Sequence, residues 1–316
     1  MTPTVVLTIA GSDSSGGAGL QADLRTFAAH RLHGATAITA VTAQNTAAVR
    51  GVVAMSPAFV VAQVDAVLED LAVAAVKTGM LASPGTVTAL GELAARGSLP
   101  NLVVDPVLVS STGHPLMDEG GAAAYREYLL PHAAVATPNL REAAILTGRP
   151  FTDLVSVEAM VEAAEVIRAL GVETVVVKGG HLAAAVAAAR AGGASLRAVP
   201  RGAERVGGGS NGAPEAPGSP DVIAGPRGTI VVGGDRIRTG NDHGTGCSLS
   251  AAIASRMALG DDAVSAVRAA KRFVAGALRG AAGWRLGSGH GPIDHFGWGS
   301  AASPEGPGAA PSDRPS

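Results

Sequence analysis

The sequence predicts an α/β fold in which a mostly parallel central sheet carries helices on both faces. Three observations point there. Short β-branched runs alternate with stretches of helical periodicity, and the runs are almost continuously apolar, as strands are when helices cover both sides. The polar and glycine-rich turns follow the strands, at the edge where such sheets collect ligands. Strands are expected at residues 5–10, 35–41, 74–77, 102–105, 133–137 and 174–178, and helices at 20–32, 57–71, 120–130 and 157–170. A hairpin is expected from 229–232 and 236–238 around Gly233-Gly234-Asp235, followed by a small-residue helix at 249–259.

Composition narrows the function classes. The chain has 316 residues, 47% of them hydrophobic, which suffices for a large core in one domain or two smaller ones. Its net charge is −2 and its basic residues are scattered, which argues against nucleic acid or an anionic membrane as partner. Residues 5–10 open directly as a strand without a basic leader, and no stretch approaches the roughly 18 apolar residues of a spanning helix. A soluble cytoplasmic protein is therefore expected. The single cysteine, Cys247, excludes an internal disulfide framework and any multi-cysteine metal site. Aromatics make up only 3%, so the core must pack small side chains against closely fitted backbone.

One region departs from the alternation. Residues 183–220 run from alanine-rich sequence into Gly207-Gly208-Gly209-Ser210-Asn211-Gly212 and a segment with prolines at 214, 217 and 220. Such a stretch buries too little apolar surface to order itself and is expected to be a disordered insertion, although 182–190 could extend a helix. Residues 301–316 are expected to be a frayed tail. The reading is one domain over 1–300, interrupted by that insertion.

The strongest local signal is Asn241-Asp242-His243-Gly244-Thr245-Gly246-Cys247-Ser248 at the start of a helix. Gly244 and Gly246 free the backbone to aim amides at one point, and the helix adds its positive end, so a phosphoryl group is the natural ligand. Cys247 would sit in the first turn, where a thiol's pKa is typically lowered. The plainer alternative is a glycine-rich cap beside an inert buried cysteine.

A second segment, Gly11-Ser12-Asp13-Ser14-Ser15-Gly16-Gly17-Ala18-Gly19-Leu20-Gln21-Ala22-Asp23, also follows a strand and opens a helix. Residues 17–22 fit a dinucleotide fingerprint, but the acidic residue expected about 20 positions later is missing. A close backbone approach to a small substrate fits better. In Thr137-Pro138-Asn139-Leu140-Arg141-Glu142, Asn139 and Glu142 could share one water or cation, or simply form a capping box. Lys178, one of three lysines, ends a buried strand and must reach an anion or snorkel to solvent.

In order, these segments resemble the hydroxymethylpyrimidine/phosphomethylpyrimidine kinases of thiamine biosynthesis, within the ribokinase-like superfamily. The resemblance is carried by Leu7-Thr8-Ile9-Ala10-Gly11-Ser12-Asp13 with Ser15-Gly16-Gly17-Ala18-Gly19-Leu20-Gln21-Ala22-Asp23, together with Ala43-Gln44-Asn45-Thr46, Lys77-Thr78-Gly79-Met80-Leu81, Val104-Asp105-Pro106-Val107, Thr137-Pro138-Asn139 with Glu142-Ala143, Val177-Lys178-Gly179-Gly180-His181, His243-Gly244-Thr245-Gly246-Cys247, and Gly289-His290-Gly291-Pro292 with His295-Phe296. It covers roughly residues 4–182 and 221–299.

The resemblance implies a ribokinase-like sheet and ATP-dependent phosphorylation of 4-amino-5-hydroxymethyl-2-methylpyrimidine, then of its monophosphate. It implies that Gly11, Asp23, Gln44 and Met80 hold the pyrimidine. The amides of Gly244, Thr245, Gly246 and Cys247 would form an anion hole, with Cys247 where most of the wider ribokinase-like superfamily carries an aspartate base. Asp105, Asn139, Glu142 and Lys178 would lie around ATP and its Mg²⁺, the ion held near Asp105 and Glu142 rather than in a dedicated protein cage. A homodimer is also implied. The Gln44 amide suits an aminopyrimidine because it both donates and accepts.

Three features depart from the family pattern: the insertion, Asp242 where threonine is commoner, and Ser111 where some relatives carry lysine. Rival readings are a pyridoxine/pyridoxal kinase of the same fold, a dinucleotide-binding oxidoreductase built on residues 17–22, and a non-catalytic binding protein.

Overall fold

The computed structural model describes residues 2–109, 116–180, 182, 185–186, 204–205 and 218–299. Most of the expected insertion, the tail at 301–316 and Ser111 lie outside the described residues.

Strand and helix alternate as the periodicity requires: β1 Val5–Ser12, α1 Gly19–Ala29, β2 His33–Gln44, β3 Val49–Ala54, α2 Pro57–Asp70, β4 Val73–Thr78, α3 Pro84–Ala95, β5 Val103–Val104, α4 Gly121–Ala124, β6 Val135–Ala136, α5 Leu140–Thr147, α6 Val157–Arg168 and β7 Thr174–Lys178. Then come β8 Glu204–Arg205, β9 Asp221–Gly225, β10 Gly228–Gly233, α7 Thr245–Ala258 and α8 Ala263–Gly280. The strands form one ten-stranded sheet in the order β3-β2-β1-β4-β5-β6-β7-β9-β10-β8. Strands β2, β1, β4, β5, β6 and β7 run parallel, while β3 and the β9–β10 hairpin are antiparallel additions at the two ends.

Period-two alternation divides each strand between two cores. Leu7, Ile9, Val76, Val104, Val175, Val177 and Val222 join one, packed by Val60 and Val64 of α2, Leu90 of α3, Leu140 of α5 and Met160 of α6. Val6, Ala75, Val103, Val135, Val176 and Ile223 join the other, under Phe27 of α1, Ile253 of α7 and Val267 of α8. Both faces are covered, which is why the strands read as unbroken apolar runs. The shortage of aromatics is met by α7, where Ala251, Ala252, Ile253 and Ala254 are all buried and the helix lies close against the sheet.

Helix starts follow local chemistry. Ser56 and Ser83 cap α2 and α3 by accepting the amides of Phe59 and Thr86, each with proline at the next position, and Ser156 and Asp262 cap α6 and α8. Among the described residues no helix is long and apolar enough to cross a membrane.

Several expectations need correction. The hairpin pairs Asp221–Gly225 with Gly228–Gly233 across Pro226-Arg227, and residues 234–239 are irregular. The helix expected at 120–130 is one α-turn, Gly121–Ala124, running into the wider turn Tyr125–Leu129. Strand β3 and helices α3 and α8 were not among the elements expected. Two residues inside the expected insertion, Glu204–Arg205, form a short strand beside β10. The residues on either side of the expected insertion meet in the sheet: the Gly179 amide donates to Asp221 Oδ1 at 2.9 Å, and Lys178 pairs with Asp221 across the β7–β9 ladder.

Candidate active site

The parallel strands end at one edge, and they deliver Gly11, Gln44, Met80, Asp105, Asn139 and Lys178 to it. The segment before α7 comes to the same edge. Gly244 caps α7 with φ 84°, and a Cβ there would lie 1.9 Å from the Gly17 carbonyl oxygen, so only glycine fits. The two glycine-rich segments therefore interlock, which leaves residues 17–22 no room to cradle a pyrophosphate. The close approach expected of this loop is an approach to His243-Gly244.

The anion loop is anchored from outside. Asn241 Nδ2 donates to the carbonyls of Ala281 (2.7 Å) and Trp284 (3.0 Å), and the His243 amide donates to Gly291 O at 3.0 Å. Asp242, the departure in charge, meets His290 Nδ1 at 2.7 Å. The Thr245 amide turns back to Asp242 O, and the Ser248 amide closes the first helical bond onto Gly244 O. The amides of Gly246 and Cys247 are thus the remaining donors of the first turn, at the positive end of α7.

A charged pair lies directly against Gly246. A Cβ on Gly246 would be 3.4 Å from Lys178 Nζ and 4.0 Å from Asp105 Oδ2. Lys178 Nζ pairs with Asp105 Oδ1 at 2.8 Å, and Asp105 also accepts from Thr137 Oγ1 (3.1 Å) and Ser250 Oγ (3.3 Å). Burial opposes the charge on Asp105, but Lys178 and then Lys77 outweigh it and hold the carboxyl below its usual range. Asn139 and Glu142 form the capping box at α5: Asn139 Oδ1 accepts the Arg141 and Glu142 amides, and Glu142 Oε2 accepts the Asn139 amide at 2.7 Å. Burial pushes the Glu142 carboxyl up to about 8 despite Lys178, with the nearby Asp105 charge adding to the rise. Two crowded carboxylates, one of them short of compensating positive charge, suit a hard cation shared with phosphate oxygens.

Cys247 is half-buried at the same helix start. The expected lowering of its pKa is reversed. Burial pushes the thiol up to about 11, and the charges of Asp23 and Asp105 add to that, opposed by Lys77 and by a hydrogen bond with the Gly19 backbone. The helix start favours the thiolate, but loss of water and two carboxylates from other elements outweigh it.

Asp23 is also placed differently from its expected contact with substrate. It has no exposed surface: its carboxylate holds Lys77 Nζ at 2.8 Å and accepts Thr8 Oγ1 at 2.7 Å. It faces inward from α1, one turn after the Gly19 amide that touches Cys247, so it supports the site from below. Burial works against the charge of Lys77, and Asp23 with Cys247 and Asp105 hold it protonated well above its ordinary range. All three lysines of the chain are paired with aspartates: Lys77 with Asp23, Lys178 with Asp105, and Lys271 with Asp221.

The remaining residues form a second wall. A Cβ on Gly11 would meet Met80 Cε at 2.3 Å, so these two lie in contact. The Gln44 amide lies 3.3 Å from His243 Nε2, which in turn sits 2.8 Å from Asp13 Oδ2. Asp13 further accepts the amides of Ser15, Gly17 and Ala18 and the Ser15 hydroxyl. Burial alone would raise its pKa, but the bonds from His243, Ser15 and Ala18 hold it at about 2. A carboxyl depressed in the folded state contributes stability that is present above its unfolded pKa and lost as pH falls through the folded value. Asp13→Asn should therefore cost about 2 kcal/mol at neutral pH, and the gap to the parent should close between about pH 4 and 2. Denaturant midpoints of both proteins across that window check it; a gap unchanged at pH 2 would contradict it.

The sequence reading missed Lys77, Asp13, His243 and Ser250 as site residues, and the anchoring role of residues 289–295. The rarity of lysine was the one local signal that pointed to Lys77.

Residues 13–294 match the phosphomethylpyrimidine kinase family. The chain is 42% identical over 292 residues to the hydroxymethylpyrimidine/phosphomethylpyrimidine kinase of Rhizobium meliloti, covering 92% of this chain and 97% of that one. Among solved structures it is similar to an ADP complex of Bacillus subtilis pyridoxal kinase, with TM-score 0.76, 31% identity, and 95% and 100% of the two chains covered. It is also similar to the phosphomethylpyrimidine kinase of Clostridium difficile, with TM-score 0.67, 34% identity, and 87% and 99% covered.

Proposed function

The chain belongs to the phosphomethylpyrimidine kinase family, and from that premise we propose how its site works. It is a kinase that phosphorylates 4-amino-5-hydroxymethyl-2-methylpyrimidine and then the monophosphate, giving the diphosphate used in thiamine diphosphate synthesis. The observation that carries the assignment of roles is the close approach of Gly246, in the first turn of α7, to the Lys178–Asp105 pair. Phosphoryl transfer asks a protein chiefly to align an acceptor and to stabilise spreading charge. The Gly246 and Cys247 amides and the helix end receive the transferring group, and Lys178 balances charge on the ATP phosphates. Asp105 and Glu142 suit Mg²⁺, which when bound neutralises phosphate charge; Asn139 fixes Glu142 through the capping box. Cys247, in its thiolate form, accepts the hydroxyl proton. Gly11 lets Met80 close on the ring, Gln44 reads its polar edge, and Asp23 acts through Lys77.

ADP release measured side by side with the hydroxymethylpyrimidine, its monophosphate and pyridoxal tests this reading. Turnover of pyridoxal alone would replace it with pyridoxal kinase activity, the alternative favoured by the likeness to the Bacillus subtilis structure. Gln44→Leu should raise KM for the pyrimidine about tenfold or more and leave KM for ATP within about twofold, because a polar ring edge loses its partner. The opposite split would assign Gln44 to the nucleotide.

One domain over 1–300 and a homodimer complete the proposal. The single sheet supports the first. Exposed Val41 and Val53, cross-strand partners at the β2–β3 end, supply an apolar patch for the second, which sedimentation equilibrium tests.

A further inference from the structure

We propose that His243, clamped by Asp13, fixes which way the Gln44 amide faces and thereby makes the site select an amino-substituted pyrimidine over its oxo counterpart. The inference rests on the reading that Gln44 meets the substrate ring.

The argument is one of counting hydrogens. Asp13 is an acceptor surrounded by donors: the Ser15 amide at 2.9 Å, the Ser15 hydroxyl at 2.8 Å, and the amides of Gly17 (3.1 Å) and Ala18 (2.8 Å). His243 Nε2, 2.8 Å from Asp13 Oδ2, must therefore carry a hydrogen and donate it. With Gln44 Nε2 facing that same nitrogen at 3.3 Å, N–H would oppose N–H. A second conflict lies on the amide's other side. Thr42 has one hydroxyl hydrogen, given to Ser12 O at 2.8 Å, so it has none left for Gln44 Oε1 at 3.4 Å.

Turning the amide over removes both conflicts together. Oε1 then faces His243 Nε2–H and takes the longer arm of the one hydrogen that this nitrogen gives chiefly to Asp13, while Gln44 Nε2 donates to Thr42 Oγ1, which donates onward to Ser12 O. The result is a closed relay, Gln44 to Thr42 to Ser12 on one side and His243 to Gln44 and Asp13 on the other. Thr42 is buried, and His243 is 13% exposed, so water offers little substitute for either partner.

A free glutamine amide turns to suit either ring, because donor and acceptor exchange places at no cost. A held one cannot. The hydroxymethyl arm must reach toward the anion loop, which puts the ring's C4 substituent on the His243 side and N3 on the Thr42 side. There Oε1 accepts from a 4-amino group while Nε2 donates to N3. A 4-oxo ring would set oxygen against oxygen and N–H against N–H, the arrangement that sites built on hydrogen bonds reject most strongly.

The test is a ratio, which general damage to the site does not move: kcat/KM for the 4-amino ring divided by that for its 4-oxo analogue. The parent enzyme should favour the amino ring. His243→Leu should lower the ratio about tenfold or more, while His243→Gln, which keeps an N–H at the end of the side chain, should hold it near the parent value. Thr42→Val, which leaves the anion loop untouched, should lower it severalfold. A ratio that neither His243→Leu nor Thr42→Val moves overturns the lock while leaving the kinase reading intact. A parent enzyme that turns over neither ring overturns the kinase reading, and the lock with it.

Discussion

Lys77→Met should lower the free energy of unfolding by about 3–5 kcal/mol at neutral pH, a large part of what a domain of this kind possesses. Lys77 and Asp23 have no exposed side-chain surface, and their charges meet at 2.8 Å. Burial pushes the Asp23 carboxyl above its ordinary pKa even with Lys77 opposing. Without the lysine, Asp23 must stay ionised in a dry site or take up a proton, and either costs stability. The sign of the pH dependence follows. A carboxyl whose folded pKa is raised gives its full stability below the unfolded value and loses it as pH rises through the folded one. The deficit of Lys77→Met should therefore be smaller at pH 5 than at pH 8. Pairing it with Asp23→Leu should restore most of the stability, because an apolar pair replaces a charged one, but not the turnover, because Cys247 loses the cation that most favours its thiolate. Denaturant titrations at the two pH values check this, and a single variant as stable as the parent would show the pair to be dispensable.

That pair also marks where sequence reading runs out. Its partners stand 54 positions apart, and Asp13 and His243 stand 230 apart, so no local spacing brings them together. What the sequence does carry is whatever one strand or one turn must satisfy alone. Residues 174–178 were legible as a strand because four consecutive buried positions admit only apolar or β-branched side chains. The order Gly244, Gly246, Cys247 was legible because a left-handed cap and a tight approach demand glycine. The hairpin was misplaced because Gly233-Gly234-Asp235 carries a stronger turn signal than Pro226-Arg227, while Val222-Ile223-Ala224 is too short an apolar run to stand out beside the preceding prolines. The thiol pKa failed for the same reason as the ion pair. The helix start is local, but the burial and the carboxylates that reverse its effect come from elsewhere in the chain, Asp23 in α1 and Asp105 just past β5.

Cys247→Ala should reduce kcat by about 10²- to 10⁴-fold, the usual contribution of a positioned general base, with the midpoint of unfolding nearly unchanged. The thiol lies at the first turn of α7, half-buried, with the Gly246 amide beside it and the Lys178–Asp105 pair under that glycine. Its raised pKa sharpens the expectation. With the thiol pushed up to about 11, only a small fraction is thiolate at pH 7, and that fraction grows about tenfold per pH unit below the pKa. If the thiolate takes the hydroxyl proton, kcat/KM should climb with pH through the neutral and mildly alkaline range, and the alanine variant should lose that climb. Alkylation reads the same group directly, since Cys247 is the chain's one cysteine: the rate of modification by iodoacetamide should follow the same alkaline profile. A flat activity profile over a rising alkylation profile would mean that Cys247 orients the acceptor and the phosphates take the proton. Turnover in the alanine variant equal to the parent's would reduce it to packing.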